Sequence, residues 1–188
     1  MIKKIFAAMI LALMLTFAQN VSAYPRITYQ AHIADYGWLE PVGNNEVAGT
    51  TGESLRMEAL RINFDGGIRY CAHIADYGWL DPVRSGEIAG TTGEGLQMEA
   101  VRIELTGSAA RRYDIYYRAH IADYGWLDWV KNGEVAGTTG QSLRMEAVQI
   151  RLVEKNSRYD DDDDYRRNRR YDDDYYRGHR RYDDDYYY

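Results

Sequence analysis

Histidine and aspartate recur with the same spacing at three places in the chain: His32 and Asp35, His73 and Asp76, His120 and Asp123. A hydrolytic site would need such a pair in contact with a nucleophile. Residues an odd number apart on a strand point to opposite faces, so the spacing argues against that contact. No Gly-x-Ser-x-Gly elbow, zinc signature or phosphate loop accompanies them. A threefold axis could gather the three histidines on a metal, but ligand clusters come with close acidic or cysteine partners. The expectation is a hydrogen-bonded structural histidine in each copy, with no metal, no cofactor and no catalytic residue. Active sites are also rarely tripled in one small domain, and the chain is expected not to be an enzyme.

The aromatic residues beside these pairs carry more. Trp38, Trp79 and Trp126 each follow a Gly. In one reading they pack in the core with Leu39 and Val42 and their counterparts, since large aromatics dominate core energetics. In the other they are platforms on which a sugar ring stacks. Tyr36, Tyr77 and Tyr124 fall within a turn and are expected to be exposed. Beside Asp35, Asp76 and Asp123 they offer an apolar ring next to an acceptor, which suits a hydroxyl-rich ligand. Glu58, Glu99 and Glu146 are expected in structural ion pairs between repeats, and Thr50-Thr51 and its copies in hydrogen bonds to their own loop.

All of these residues belong to a repeat. His32–Ile62, His73–Ile103 and His120–Ile150 align without a gap over 31 positions, 20 of them identical in all three. The starts lie 41 and 47 residues apart, and the six extra residues fall in the second connector. Each unit reads as four strands. Strand one, Ile27–Ala34, alternates Tyr29, Ala31 and Ile33 against Gln30, His32 and Ala34. Asp35-Tyr36-Gly37-Trp38 makes a turn, with Asp at its first position and Gly supplying the positive φ of the third. Strand two runs from Trp38 to Val42. Asn44-Asn45, Ser85-Gly86 and Asn132-Gly133 are hairpin connections, and strand three runs from Glu46 to the Gly-Thr-Thr-Gly loop. In strand four Leu55, Met57 and Ala59 alternate, then Leu60, Ile62 and Phe64 in the opposite phase, which predicts a β-bulge between Ala59 and Leu60. A helical turn over Met57-Glu58-Ala59 is the rival. Asp65-Gly66-Gly67 turns into the next unit.

Three such units predict an all-β, closed pseudo-threefold body of twelve strands, β-prism-like, with a β-trefoil as the alternative. The units span 27–64, 68–105 and 115–152 within one domain, 24–157. None of them alone could bury its apolar face.

The blocks A-H-I-A-D-Y-G-W, A-G-T-T-G and L-R-M-E-A resemble the ChW repeat, the clostridial hydrophobic repeat with tryptophan, in three copies from Tyr29 to Leu152. The resemblance implies a secreted or surface protein of clostridial type, serving adhesion or recognition of macromolecules. The family pattern often carries a second Trp three residues after Gly-Trp. Only Trp129 keeps it here, while Pro41 and Pro82 replace it in the first two copies, so repeat three is expected to hold the most complete site.

The segments flanking the body are of different kinds. Lys3 and Lys4, the apolar run Ile5–Phe17 and the small-x-small site Val21-Ser22-Ala23 read as a signal peptide, residues 1–23, cleaved after Ala23. No later run is long enough to span a membrane. The tail, 158–188, holds 11 Asp and 8 Arg with Tyr clusters and no aliphatic residue, and is expected to be disordered. Residues 24–157 carry a formal charge of −5, which argues against nucleic acid as the partner. Cys71 is the only cysteine, and its counterparts Gln30 and Arg118 predict a solvent-facing thiol.

Taken together these features predict a secreted or cell-surface binding module, periplasmic where an outer membrane exists. Its partner would be an extracellular polysaccharide or a surface protein. The candidate contact residues are Asp35, Tyr36, Trp38, Asp76, Tyr77, Trp79, Asp123, Tyr124, Trp126 and Trp129. The alternative is an assembly protein that docks other secreted proteins.

Overall fold

The computed structural model describes residues 26–155. The signal peptide and the disordered tail expected from sequence lie outside the described residues. Fourteen strands and one short helix make up the described chain.

Repeat one contributes β1 (Ile27–Ile33), β2 (Gly37–Trp38), β3 (Val47–Gly49) and β4 (Met57–Phe64). Repeat two contributes β5 (Gly67–Ile74), β6 (Gly78–Trp79), β7 (Val83–Arg84), β8 (Ile88–Gly90) and β9 (Met98–Thr106). The six additional residues of the second connector fold as α1 (Gly107–Arg112), which tucks Ala109 into the core. Repeat three follows as β10 (Tyr113–Ile121), β11 (Gly125–Trp126), β12 (Val130–Lys131), β13 (Ala136–Gly137) and β14 (Met145–Glu154). The expected second strand is therefore split. A two-residue strand pairs with the end of strand one, and a second contact forms near Val42, Val83 or Val130.

These strands form three sheets, ordered β2-β1-β4-β8, β6-β5-β9-β13 and β11-β10-β14-β3, with β7 and β12 added beside β5 and β10. Each sheet takes its last strand from another repeat. β8 of repeat two pairs with β4 of repeat one, β13 of repeat three with β9 of repeat two, and β3 of repeat one with β14 of repeat three. The exchange is cyclic, so each repeat without its neighbours would lack the last strand of its sheet.

The alternation read in strand one holds. Tyr29, Ala31 and Ile33 are fully buried while Thr28, Gln30 and His32 lie on the opposite, partly exposed face. The inward residues of β1, β4, β5, β9, β10 and β14 merge into one core. Tyr29, Tyr70 and Tyr117 are the largest fully buried side chains in it. Their hydroxyls would be orphaned there, and each finds main-chain partners. Tyr70 accepts the N–H of Ile62 at 3.0 Å and donates to the carbonyl of Glu87, and Tyr117 accepts the N–H of Ile103 at 3.1 Å. Burial pushes the Tyr29 and Tyr117 phenols up to about 12 and raises that of Tyr70.

The bulge in strand four exists but sits one residue earlier than its hydrophobic phase predicts. Ile33 pairs with Met57 and His32 with Ala59, which leaves Glu58 as the extra residue. Met57, Leu60, Ile62 and Phe64 face the core, whereas Ala59 is buried outside the core cluster, beside Gly90 of the exchanged strand. The segment is strand, which rules out the helical turn. Gly90 of β8 passes so close that a Cβ there would lie 2.7 Å from the Ala59 Cα, and its φ of +118° suits only glycine.

Cys71 corrects the expectation of a solvent-facing thiol: it is buried. It pairs across the sheet with Arg102, and burial raises its pKa. A short side chain on this face is overshadowed by the long ones around it. Gln30 and Arg118 at the same place reach out and remain partly exposed.

Candidate functional site

Each D-Y-G-W turn is a tight reversal between strand one and the short strand two. Tyr36 N–H donates to Ile33 O at 3.2 Å, with the same bond at 3.3 Å in repeat two and 3.2 Å in repeat three. Two residues adopt positive φ: Gly37 at +74°, which follows the turn and does not fill the third position expected of it, and Asp35 at +69°. Asp76 and Asp123 do the same at +67° and +70°. Asp therefore occupies the third position of the turn rather than the first. It is one of the few side chains that tolerate the left-handed region.

Tyr36, Tyr77 and Tyr124 project from these turns with 58%, 58% and 60% of their surface exposed. Their hydroxyls bond not to the turn aspartates but to the loop after strand three. Tyr36 donates to Glu53 at 2.9 Å, Tyr77 to Glu94 at 3.1 Å and Tyr124 to Gln141 at 3.4 Å. The bond to Glu53 or Glu94 raises the phenol pKa of Tyr36 and Tyr77. Asp35, Asp76 and Asp123 are exposed beside them.

The tryptophans are half-buried on the outer face of the sheets and do not belong to the core, which overturns the packed-core reading; Leu39 and Val42 do pack against the core without them. Trp38 lies directly across from His32 in the hairpin, and the imidazole meets the indole edge-on at 5.3 Å between centroids. A guanidinium covers the ring: Arg61 over Trp38 at 4.7 Å, Arg102 over Trp79 at 4.3 Å and Arg118 over Trp126 at 4.7 Å.

Below the tryptophan lies the bulged glutamate. Glu58 is 4% exposed. Its Oε2 is 3.1 Å from His32 Nδ1, and its Oε1 takes Arg56 at 2.7 Å. Glu146 repeats this with His120 and Arg144, and Glu99 with His73, the arginine being replaced there by Gln97 at 3.2 Å. Each histidine therefore faces the bulged Glu rather than the Asp of the turn, although the contact at Nδ1 is a close approach and not the aligned hydrogen bond expected. The pairs lie within a repeat, not between repeats as expected. What does cross the seam is the main chain: Thr91 N–H donates to Glu58 O, Thr138 to Glu99 O and Thr50 to Glu146 O, at 3.0–3.1 Å. The hydroxyls of Thr50, Thr91 and Thr138 are buried without a hydrogen-bond partner among the described residues. Their role is in the backbone N–H, not the side-chain bonding predicted for them.

The three histidines remain in separate clusters, each against its own glutamate. An open depression of about 570 Å³ lies elsewhere, lined by Gly66, Ile68, Arg69, Arg84, Ser85 and Thr106 among others. It includes none of the candidate residues. Among the described residues no helix is long and apolar enough to cross a membrane.

Sequence reasoning missed the guanidinium ceiling over each tryptophan. Arg61 and Arg102 are unremarkable in a linear reading, and they become visible only once β4 and β9 are registered against β1 and β5.

Compared with known families, the profile described as Clostridial hydrophobic W, ChW, matches three times, at residues 32–66, 73–107 and 120–154. No curated protein and no solved structure matches the chain.

Proposed function

Since the chain belongs to the Clostridial hydrophobic W family, we propose that it is a secreted, non-catalytic binding module that holds extracellular polysaccharide through its three D-Y-G-W turns. One observation carries the reading: Tyr36, Tyr77 and Tyr124 stand exposed at equivalent places of one body, each beside an exposed carboxylate. An exposed ring flanked by acceptors is a weak grip for a hydroxyl-rich ligand. Three weak grips on one rigid body strengthen binding of a repeating polymer by roughly 10²–10⁴-fold where the polymer spans them. The tryptophans act from beneath, since their guanidinium covers leave only part of each ring open.

The non-catalytic reading is supported by the state of the one carboxylate that resembles a general base. Glu58 and its copies are sealed from solvent and held by His and by Arg or Gln. The cyclic strand exchange among three separate sheets supports the prism-like architecture over the trefoil. The sequence of residues 1–23 supports the secretion reading, and a surface protein is the alternative partner.

The test is the triple variant Tyr36→Ala, Tyr77→Ala, Tyr124→Ala. These exposed side chains contribute little to folding, so the variant should keep the wild-type melting temperature while losing adhesion to immobilised polysaccharide, and single variants should lose only part. A folded triple variant that adheres at wild-type strength excludes the turns as the site.

A further inference from the structure

The outer face of repeat three differs from the other two by a linked set of residues. In repeats one and two the guanidinium over the turn tryptophan comes from strand four, as Arg61 or Arg102. In repeat three that place holds Gln149, and the guanidinium comes from the neighbouring β10 as Arg118, whose Nε donates to Gln149 Oε1 at 2.9 Å. From there Arg118 also reaches over Trp129, at 4.8 Å. Next in the row is Arg151, 4.6 Å from the Trp129 ring centroid and 5.0 Å from that of Tyr116. Rings and guanidinium groups thus alternate: Trp126, Arg118, Trp129, Arg151, Tyr116.

No such row exists in the other copies. The places of Tyr116 and Arg151 are taken in repeat two by Arg69 and Glu104, an ion pair at 2.5 Å, and in repeat one by Thr28 and Asn63. Trp129 is Pro41 or Pro82 there. Among the described residues Arg151 has no acidic partner. Its Nε is buried against the rings without a hydrogen-bond partner among the described residues.

We propose that this row is a binding strip for a uronic-acid polysaccharide, a polymer of sugar rings that each carry a carboxylate. The proposal rests on the polysaccharide reading above and deepens it for one repeat. The rings of Trp129 and Tyr116 are already stacked by Arg151, with Arg118 also over Trp129 and Lys131 over Tyr116 at 5.8 Å, so they hold the cations in place and leave the guanidinium edge to meet the ligand. The guanidinium between them is planar, weakly hydrated and held by its neighbours. It therefore presents a fork matched to a carboxylate with little further ordering. A neutral sugar would leave that cation unpaired. General attraction cannot replace the local match, because residues 24–157 carry −5 overall and repel a polyanion at long range.

The experiment uses the full-length secreted chain and two forms of one polymer: polygalacturonate, and the same polymer with its carboxylates methyl-esterified. Binding is read by calorimetry. Wild type should bind the acid form about ten- to a hundredfold more tightly than the ester, the range of one charge-assisted hydrogen-bonded pair. Arg151→Ala should lose that preference. So should Trp129→Pro, which installs the residue that repeats one and two carry there and is therefore compatible with the fold. Equal affinity for acid and ester, or an Arg151→Ala variant that keeps the preference, overturns the strip. If the protein binds a neutral polysaccharide but not polygalacturonate, the strip fails and the turn reading stands. If it binds no polysaccharide at all, both fail.

Discussion

The hydroxyl of Tyr29 accepts the backbone N–H of Ile150 at 3.0 Å, across 121 residues of sequence, and donates to the carbonyl of Glu46. One buried phenol of the first repeat thereby ties the last strand of the third to the strand that crosses over to it. Tyr70 and Tyr117 make the same tie at the other two seams. Tyr→Phe at any of them keeps the ring and strands a buried N–H and a carbonyl. The expected cost is about 1–3 kcal/mol for each, read from denaturant midpoints. Because the ties form a cycle, Tyr29→Phe should lower a single cooperative transition of the whole body. A separate early transition of one repeat would show that the seams are not coupled.

The same phenols set the alkaline limit. The pKa values of Tyr29 and Tyr117 rise to about 12, and that of Tyr70 rises as well, chiefly through burial. In an unfolded chain tyrosine titrates near 10. Between about pH 10 and 12 the unfolded chain therefore holds fewer protons than the folded one, and stability falls as pH rises. Below about pH 10 the contribution is complete. Equilibrium unfolding measured from about pH 8 to 12 should show a steep loss only in the upper window, smaller in Tyr29→Phe. A flat profile through that window would mean that the phenols ionise without unfolding.

Much of this architecture was legible because the repeat aligns with itself. Tyr29, Ala31 and Ile33 alternate in plain view, and the Asn-Gly pair at 132–133 marks its hairpin. The turn tyrosines were readable as exposed because a turn offers little to pack against. What was not readable depends on pairing between distant strands. The hydrophobic phase puts the bulge between Ala59 and Leu60, and not at Glu58, because Ala59 is apolar. Its burial comes from Gly90 of another repeat, which a linear reading cannot see. The size of Trp38 favours one of its two readings, the core, although its register partner His32 lies on the outer face. The polar counterparts of Cys71, Gln30 and Arg118, predict exposure, but burial on that face depends on side-chain length.

Gly90 tests the exchanged strand directly. A Cβ at this position would lie 2.7 Å from the Ala59 Cα, and the backbone has a φ of +118°. Gly90→Ala therefore combines a clash with strained backbone, and a loss of roughly 2–4 kcal/mol is expected from the two together. Gly93→Ala is the control. It shares a positive φ but meets nothing within 4 Å, so its cost should stay near 1 kcal/mol, as expected for strain alone. Equal costs at the two sites would show that strands β4 and β8 do not approach this closely.

The bulged glutamates offer a comparison that the protein has set up itself. Glu58 and Glu146 each hold a histidine and an arginine, whereas Glu99 holds a histidine and the neutral Gln97. Removing the carboxylate charge should therefore cost more in repeats one and three than in repeat two. Glu→Gln keeps the shape and the backbone bulge, so the loss reports the charge-assisted bonds. A deficit of about 1.5–3 kcal/mol is expected at Glu58 and Glu146, with a smaller one at Glu99. The converse substitution, Gln97→Arg, restores the arrangement of the other repeats. Its guanidinium would be partly exposed, as Arg56 and Arg144 are at 38% and 32% of their side-chain surface, so the gain is expected to stay within about 1 kcal/mol. Denaturation midpoints of the four variants at neutral pH decide the matter. If Glu99→Gln costs as much as Glu58→Gln, the arginines contribute nothing to holding the carboxylate, and the histidine and the bulge alone account for its burial.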